Sequence, residues 1–334
     1  MQRVVTKHII DHKPKAEDFT VIEVDTPLCP ANGVLARVVF LSVDPYIGSV
    51  LRGRHFGFKI PEPMTEAPPA SVVAQVVHSR TDQAAEGDWI VTDGCWQEIL
   101  AADQSKIRKV DPSIAPLSSY IGVLGMPGVT AWASAKHLAK VSDGDTVLVN
   151  AAAGPVGGTF GQLAKIYGAK RVVGVAGGKT KCDTVTGIYN FDACIDYEKE
   201  GWREQLTLAL PDGLNVFHEN VSSDMAMLAL SHAQPYTRGV ICGLADSYHH
   251  DQQHTHPLNA GIIIAKRAQI SGVVVYDFMD RYTDFVTEVT ALIKQDKIRY
   301  AEDIIEGLEN APTLFEKMVN GNNIGKSLVK VAGT

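Results

Sequence analysis

Cysteine is scarce and scattered: five in 334 residues (Cys29, Cys95, Cys182, Cys194, Cys242), with no C-x-x-C pair. That spacing argues against a disulfide scaffold and against the clustered thiols of a structural zinc lobe, and fits buried thiols in the reducing cytoplasm. No apolar run approaches the roughly 20 residues of a bilayer span, so no membrane partner is expected. Met1 to His8 does not lead into the apolar stretch of a signal peptide. Positive charge is not in surplus either, with 31 Lys+Arg against 38 Asp+Glu and a net charge of −7. Without a basic stripe, nucleic acid is not an expected partner. Internal repeats and low-complexity tracts are also lacking.

What is present is an ordinary globular composition, 45% hydrophobic and 21% charged. Mass scaling gives a folded surface of about 13,000 Å² against about 52,000 Å² extended, so roughly three-quarters of the surface is buried, enough for two domains. The first 120 or so residues look β-rich and irregular. Their short apolar runs, at 34–43, 71–77 and 89–92, are broken by Pro61, Pro63, Pro68 and Pro69. From Thr146 the texture changes. Apolar strands at 146–150, 171–176, 193–197, 216–219, 239–244 and 269–275 alternate with helical patterns, which predicts βαβ units and a doubly wound parallel sheet, an α/β fold. Boundaries are expected at 1–122, 123–292 and 293–334. The last segment closes with a strand over 326–331 that returns to the first domain.

The strand Thr146–Asn150 runs into Ala151-Ala152-Ala153-Gly154-Pro155-Val156-Gly157-Gly158, an A-x-G-x-x-G fingerprint on Ala152, Gly154 and Gly157. The central glycine lets backbone approach a pyrophosphate, and the last lets the following helix pack on the strand. Val156, Phe160, Leu163, Ala164 and Tyr167 keep helical spacing, so the helix N-terminus would point at the phosphates. The second strand ends in Val175-Ala176-Gly177-Gly178-Lys179-Thr180-Lys181, where an NAD site would place a carboxylate for the ribose 2′-hydroxyl. Glycines followed by lysines favour a 2′-phosphate, hence NADPH; the alternative is a solvated basic turn.

Taken in order, several motifs resemble the medium-chain dehydrogenase/reductase family. They are Ser42-Val43-Asp44-Pro45-Tyr46, Gly125-Met126-Pro127-Gly128-Val129-Thr130-Ala131-Trp132, 150–157, 242–248, 306–312 and 321–326. The likeness is strongest to its zinc-independent group of prostaglandin reductases, plant alkenal double-bond reductases and bacterial curcumin reductases. It implies a GroES-like catalytic domain, a Rossmann domain, NADPH as cofactor, no metal, and a homodimer. By motif match, Ala153, Gly154, Pro155, Val156 and Gly157 would hold the pyrophosphate. Gly178, Lys181 and Tyr197 would meet the 2′-phosphate end, and Asn220 with Cys242, Gly243, Leu244, Ala245, Ser247 and Tyr248 would line the cofactor. Val273, Val274 and Val275 would face the nicotinamide carboxamide, and Asn323 would reach the cofactor from the tail. Tyr248 and Tyr46 fall where the family places substrate tyrosines. The implied reaction is NADPH-dependent reduction of the carbon–carbon double bond of α,β-unsaturated ketones and aldehydes. The rivals are a quinone reductase on the same scaffold and a non-catalytic NADPH-binding sensor, since fold does not fix function.

The chain departs from that family pattern at named places. Ser222-Ser223 stand where Gly-Gly follows the E-N-V motif, Ile47-Gly48 follow Pro45-Tyr46 without the usual arginine, and Pro61 to Glu66 replaces a G-x-x-M-x-G stretch. His249, His250, His254 and His256 crowd a polar segment read as a solvated loop, while Cys95 and His55 lack a third ligand for a catalytic zinc. The acidic residues from Glu302 to Glu309 are expected near a helix start, facing solvent.

Overall fold

The computed structural model describes residues 1–55, 57–249 and 257–331, with the side chain of residue 249 left aside. In chain order the strands are β1 (Gln2–Thr6), β2 (Phe19–Glu23), β3 (Gly33–Ser42), β4 (Pro69–Ser79), β5 (Trp89–Cys95), β6 (Ile99–Asp103), β7 (Arg108–Val110) and β8 (Thr146–Asn150). They continue with β9 (Arg171–Ala176), β10 (Ala193–Asp196), β11 (Leu214–Glu219), β12 (Ala233–Ile241), β13 (Gln269–Gly272), β14 (Glu302–Glu306) and β15 (Lys326–Lys330). The helices are α1 (Tyr46–Leu51), α2 (Met126–Ala133), α3 (Pro155–Ile166), α4 (Lys179–Gly187), α5 (Trp202–Ala209), α6 (Ser223–Ser231), α7 (Ala260–Lys266), α8 (Tyr282–Lys294) and α9 (Ala311–Val319). No helix among the described residues is long and apolar enough to cross a membrane.

Among the described residues two compact units form, one from residues up to 122 with 248–249 and 302–331, the other from 123–247 and 257–301. The second therefore continues past residue 292, since α8 crosses that position and ends only at Lys294. In the first unit a seven-stranded sheet runs β14-β15-β3-β4-β5-β7, with β6 also on β3, beside the hairpin-like pair β1-β2. Its core gathers Val4, Phe19, Val38, Val72, Ile90, Trp96 and Phe315. The rings of Phe19 and Trp96 lie 5.5 Å apart and those of Trp96 and Phe315 5.7 Å, offset or edge-on as aromatic quadrupoles prefer.

The buried ion pair of this unit ties its two ends of sequence together. Lys326, first residue of β15, donates to Asp44 Oδ1 at 2.5 Å and to Val43 O at 3.2 Å, while Ser42 Oγ donates to Asp44 Oδ2 at 2.6 Å. Removing one partner of such a pair leaves an uncompensated buried charge, which is strongly destabilising. The two motifs 42–46 and 321–326 are thus one structural device.

The second unit holds a six-stranded, all-parallel sheet in the order β10-β9-β8-β11-β12-β13. Strands covered on both faces are apolar nearly throughout, which is why Thr146–Asn150 and Arg171–Ala176 stand out as solid runs. Both have the predicted bounds. β12 differs: it starts at Ala233 rather than 239 because its first half carries Gln234, Pro235 and Tyr236. There the pairing with β11 slips, from Leu214 opposite Ala233 to Val216 opposite Arg238, and Tyr236 adopts a left-handed φ of 67°. β12 also ends at Ile241 and β13 at Gly272, so Cys242–Leu244 lie beyond the sheet and Val273 and Val274 lead into the 3-10 helix Val275–Arg281.

A second difference concerns 302–309. The acidic run includes a strand, β14, parallel to β15, with the 3-10 helix Leu308–Asn310 following. Glu302 is half-buried, accepting from Ser118 Oγ at 2.8 Å, and Asp303 pairs with Lys317 at 2.7 Å. Only Glu306 and Glu309 remain solvent-facing in this run of acids.

Candidate functional site

In a parallel sheet all strands end on one edge, and ligands settle outside that edge where the strand order reverses. Here the reversal lies between β8 and β11. The turn after β8 carries Ala153 and Gly154, and Gly154 is the N-cap of α3 with Pro155 at the next position. Pro155 gives up no needed bond there, since the first N–H groups of a helix lack internal partners. Gly157 is required by contact: a Cβ would meet Ala151 O at 2.6 Å, so any larger residue would push α3 away from the strand. The cradle fits a pyrophosphate.

At the end of β9, Gly178 caps α4 and its N–H donates to Asp196 Oδ1 at 2.7 Å. Lys181 sits in the first turn of α4, and burial lowers its ammonium from the ordinary lysine value, an effect that the nearby Glu198 carboxylate opposes. Tyr197 follows β10, and a Cβ at Gly177 would stand 2.7 Å from both the Tyr197 hydroxyl and Glu198 Oε1. Asp196, the last residue of β10, and Glu198 just beyond it therefore bring carboxylates to the β9 turn, a placement that inspection of that turn alone does not reveal.

The end of β11 holds a polar knot that sequence reading passed over except for Asn220. Glu219 is buried, and its Oε1 accepts from Val221 N (2.6 Å), Ser222 N (2.9 Å) and Asn150 Nδ2 (3.0 Å). Asn220 Nδ2 donates to Asn150 O at 2.9 Å and lies 3.1 Å from His218 Nδ1. Cys242 N donates to Glu219 O, Ala245 N to Asn220 O and Asp246 N to Val221 O. The 242–246 turn, which opens the 3-10 helix Ala245–His249 carrying Ser247 and Tyr248, is thus pinned by backbone bonds to 219–221. Ser222-Ser223 cost nothing here: Ser222 is extended (φ −157°) and caps α6 by accepting from Met225 N at 3.2 Å.

Burial pushes the Glu219 carboxyl up to about 7, outweighing the hydrogen bonds that favour its ionised form, and pushes the buried His218, packed 4.3 Å from Phe160, down to about 3. Its pKa being raised, Glu219 contributes stability that is full below its unfolded value near 4.5 and lost as pH rises through 7. Between pH 5.5 and 7 this amounts to about 1.5 kcal/mol. The fall in unfolding free energy over that interval, measured in urea, should shrink by this amount in Glu219→Gln; an unchanged fall would show that the carboxyl is ionised throughout.

The remaining assigned residues are dispersed. Val273 N donates to Ile241 O at 3.2 Å, Val274 is exposed and Val275 is buried. Tyr46 opens α1 in the first unit, its ring 5.0 Å from His55 and 6.1 Å from Phe58. Asn323, also in the first unit, donates from Nδ2 to Gly325 O at 3.1 Å ahead of β15. Cys95 ends β5 with its thiol pushed up to about 11 by burial, and all five cysteines are free. Neither Cys95 nor His55 joins a cluster of ligand-type side chains among the described residues. His250, His254 and His256 lie outside the described residues, as does the side chain of His249.

A glycine cradle at the switch point of a parallel sheet, joined in one chain to a mixed-sheet unit, defines a dinucleotide-binding oxidoreductase. A family model for the N-terminal domain of oxidoreductase matches residues 2–110 and one for zinc-binding dehydrogenase matches 155–294. The chain belongs to the medium-chain dehydrogenase/reductase family, as the motifs implied. It is 34% identical over 333 residues to the NADPH-dependent curcumin reductase of Escherichia coli strain K12, covering 96% of this chain and 94% of that protein. It is also 34% identical to the NADP⁺-dependent 2-alkenal reductase of Nicotiana tabacum, covering 99% and 97%. The crystal structure of CurA from Vibrio vulnificus in complex with NADPH superposes with a TM-score of 0.92 at 29% identity, with all of both chains covered.

Proposed function

We propose that this protein reduces the carbon–carbon double bond of α,β-unsaturated ketones and aldehydes with NADPH and without a catalytic metal. The observation that carries the reading is the glycine cradle at the β8–β11 reversal with Lys181 at the end of β9. The family relatives supply the substrate class. NADPH held at that edge would supply the hydride for the β-carbon of the enone. Gly154 to Gly157 with the N-terminus of α3 hold the pyrophosphate, and Lys181 with Tyr197 hold the 2′-phosphate. Asn220, residues 242–248 and 273–275, and Asn323 are the further assigned cofactor contacts.

The protein's chemical task is then to stabilise charge on the substrate carbonyl oxygen, and the assigned donors are the phenols of Tyr248 and Tyr46. Zinc enters through the description of one family model, and the donor set argues against a catalytic site: Cys95 and His55 have no third ligand among the described residues. A homodimer in the cytoplasm completes the reading. The homodimer is supported by the edge strand β13, which among the described residues pairs only with β12, and by the exposed Val274, Tyr276 and Met279 that follow it.

The test is NADPH oxidation across a panel of enones, quinones and no acceptor, before and after exhaustive EDTA treatment. Turnover of enones that survives EDTA is expected. Turnover of quinones alone would make the protein a quinone reductase, binding without oxidation would make it a sensor, and loss of turnover on chelation would defeat the metal-free mechanism.

A further inference from the structure

The segment joining β1 to β2 places three metal-type donors together, far in sequence from every residue assigned above. Asp18, the last residue of the 3-10 helix Ala16–Asp18, is buried and held by main chain: its Oδ2 accepts from Lys15 N at 2.8 Å, and Lys7 N donates to Asp18 O at 2.8 Å. Two imidazoles converge on this fixed carboxylate. His8 Nε2 lies 3.4 Å from Oδ1, and His12 Nε2 lies 3.2 Å from Oδ1 and 3.1 Å from Oδ2. The three donors are all within 4.8 Å of one another.

We propose that His8, His12 and Asp18 form a surface site for a zinc-type divalent cation, independent of the reductase chemistry. The distances favour a metal over simple ion pairs. Charge-assisted N–H···O⁻ bonds run about 2.7–2.9 Å, and the contacts here are all longer. Donors on a tetrahedral zinc with bonds of about 2.0–2.1 Å stand roughly 3.3 Å apart, which is the spacing observed. The remaining gap, between the two imidazoles, closes by turning the half-exposed His8.

Hydrogen-bond inventory points the same way. His12 has a carboxylate on each ring nitrogen, with Asp11 Oδ1 at 3.2 Å from Nδ1. A neutral imidazole carries one N–H. With that N–H on Asp11, the Nε2 lone pair faces Asp18, a pairing that a cation between them would satisfy as well as a second ring proton would. A carboxylate behind the ligating imidazole is also how metal-bound histidines are oriented. Two imidazoles and one carboxylate suit zinc, nickel or copper rather than calcium or magnesium, whose ligands are oxygens. Water would complete the shell, and the ion would tie His8 and His12 to Asp18, just ahead of β2.

Calorimetric titration of EDTA-stripped protein with Zn²⁺ tests this, in a background where His249, His250, His254 and His256 are all replaced by Asn, so that no other histidine cluster competes. One equivalent bound in the micromolar range is expected. His12→Ala should abolish it, His8→Ala weaken it at least 10-fold, and Asp11→Asn weaken it by about 10- to 100-fold by freeing the ring. Zn²⁺ should raise Tm in the background protein but not in His12→Ala, and enone turnover should be the same in both. No zinc bound in that background, or affinity unchanged in either His8→Ala or His12→Ala, would overturn the proposal and leave a protonated ion pair. His8 is exposed enough for its alanine variant to fold, so the test does not depend on Asp18, which also braces the turn.

Discussion

Tyr248→Phe is expected to lower kcat by about 10²-fold with NADPH affinity near normal. As the β-carbon takes up hydride, negative charge collects on the substrate carbonyl oxygen, and a preorganised phenol donating there contributes about 3 kcal/mol. The change removes one oxygen and little volume. It should not disturb the turn, because the bonds from Ala245 N to Asn220 O (3.2 Å) and Asp246 N to Val221 O (3.1 Å) are made by backbone alone. A parallel fall in kcat and kcat/KM marks stabilisation of the transition state, whereas a change confined to KM would mean substrate positioning. Tyr46→Phe is the companion measurement. If neither variant moves kcat more than a few-fold, the tyrosine assignment is wrong, and the cofactor ribose hydroxyl or a water must carry the charge.

Lys181→Ala should weaken NADPH binding by about 10- to 150-fold, the 1.5–3 kcal/mol of a charged hydrogen bond, and leave NADH nearly unaffected. Alanine is at least as good a helix former as lysine, so α4 should persist. Glu198 sharpens the test. Its carboxylate acts on the Lys181 ammonium now, and would sit beside an incoming phosphate. Loss of Lys181 therefore removes an attraction and exposes a repulsion at the same point. Equal losses for both cofactors would show that Lys181 is not at the 2′-phosphate.

The parts of this fold that sequence could show are those where burial leaves a continuous mark. Val172 and Val173 in β9, or Val147 to Val149 in β8, are covered on both faces, so their strands read directly. The first half of β12 could not be read that way, because a register slip and a left-handed Tyr236 let Gln234, Pro235 and Tyr236 occupy a strand. β14 was hidden by its own acids, whose partners, the Ser118 hydroxyl and the Lys317 and Lys330 ammonium groups, are distant in sequence. The glycine cradle was legible because a close backbone approach dictates residue type at fixed spacing. Glu219 was not, since its importance lies in the N–H groups that it holds. Nor were His8, His12 and Asp18, whose irregular spacing has no period and which come together only through the turn at 15–18.

The pairing of β3 with β15 has a consequence for synthesis. The chain emerges N-terminus first, yet β3 lacks its neighbour β15, and Asp44 its ammonium partner, until Lys326 has been made, 282 residues later. At translation rates of roughly 5–20 residues per second, the nascent sheet carries an open edge for about 15–55 seconds. The parallel-sheet unit, encoded in between, has all its strands by Gly272 and can close first. The order of completion is thus inverted relative to the order of translation, and the early segment is the stretch that a ribosome-associated chaperone would have most reason to shield.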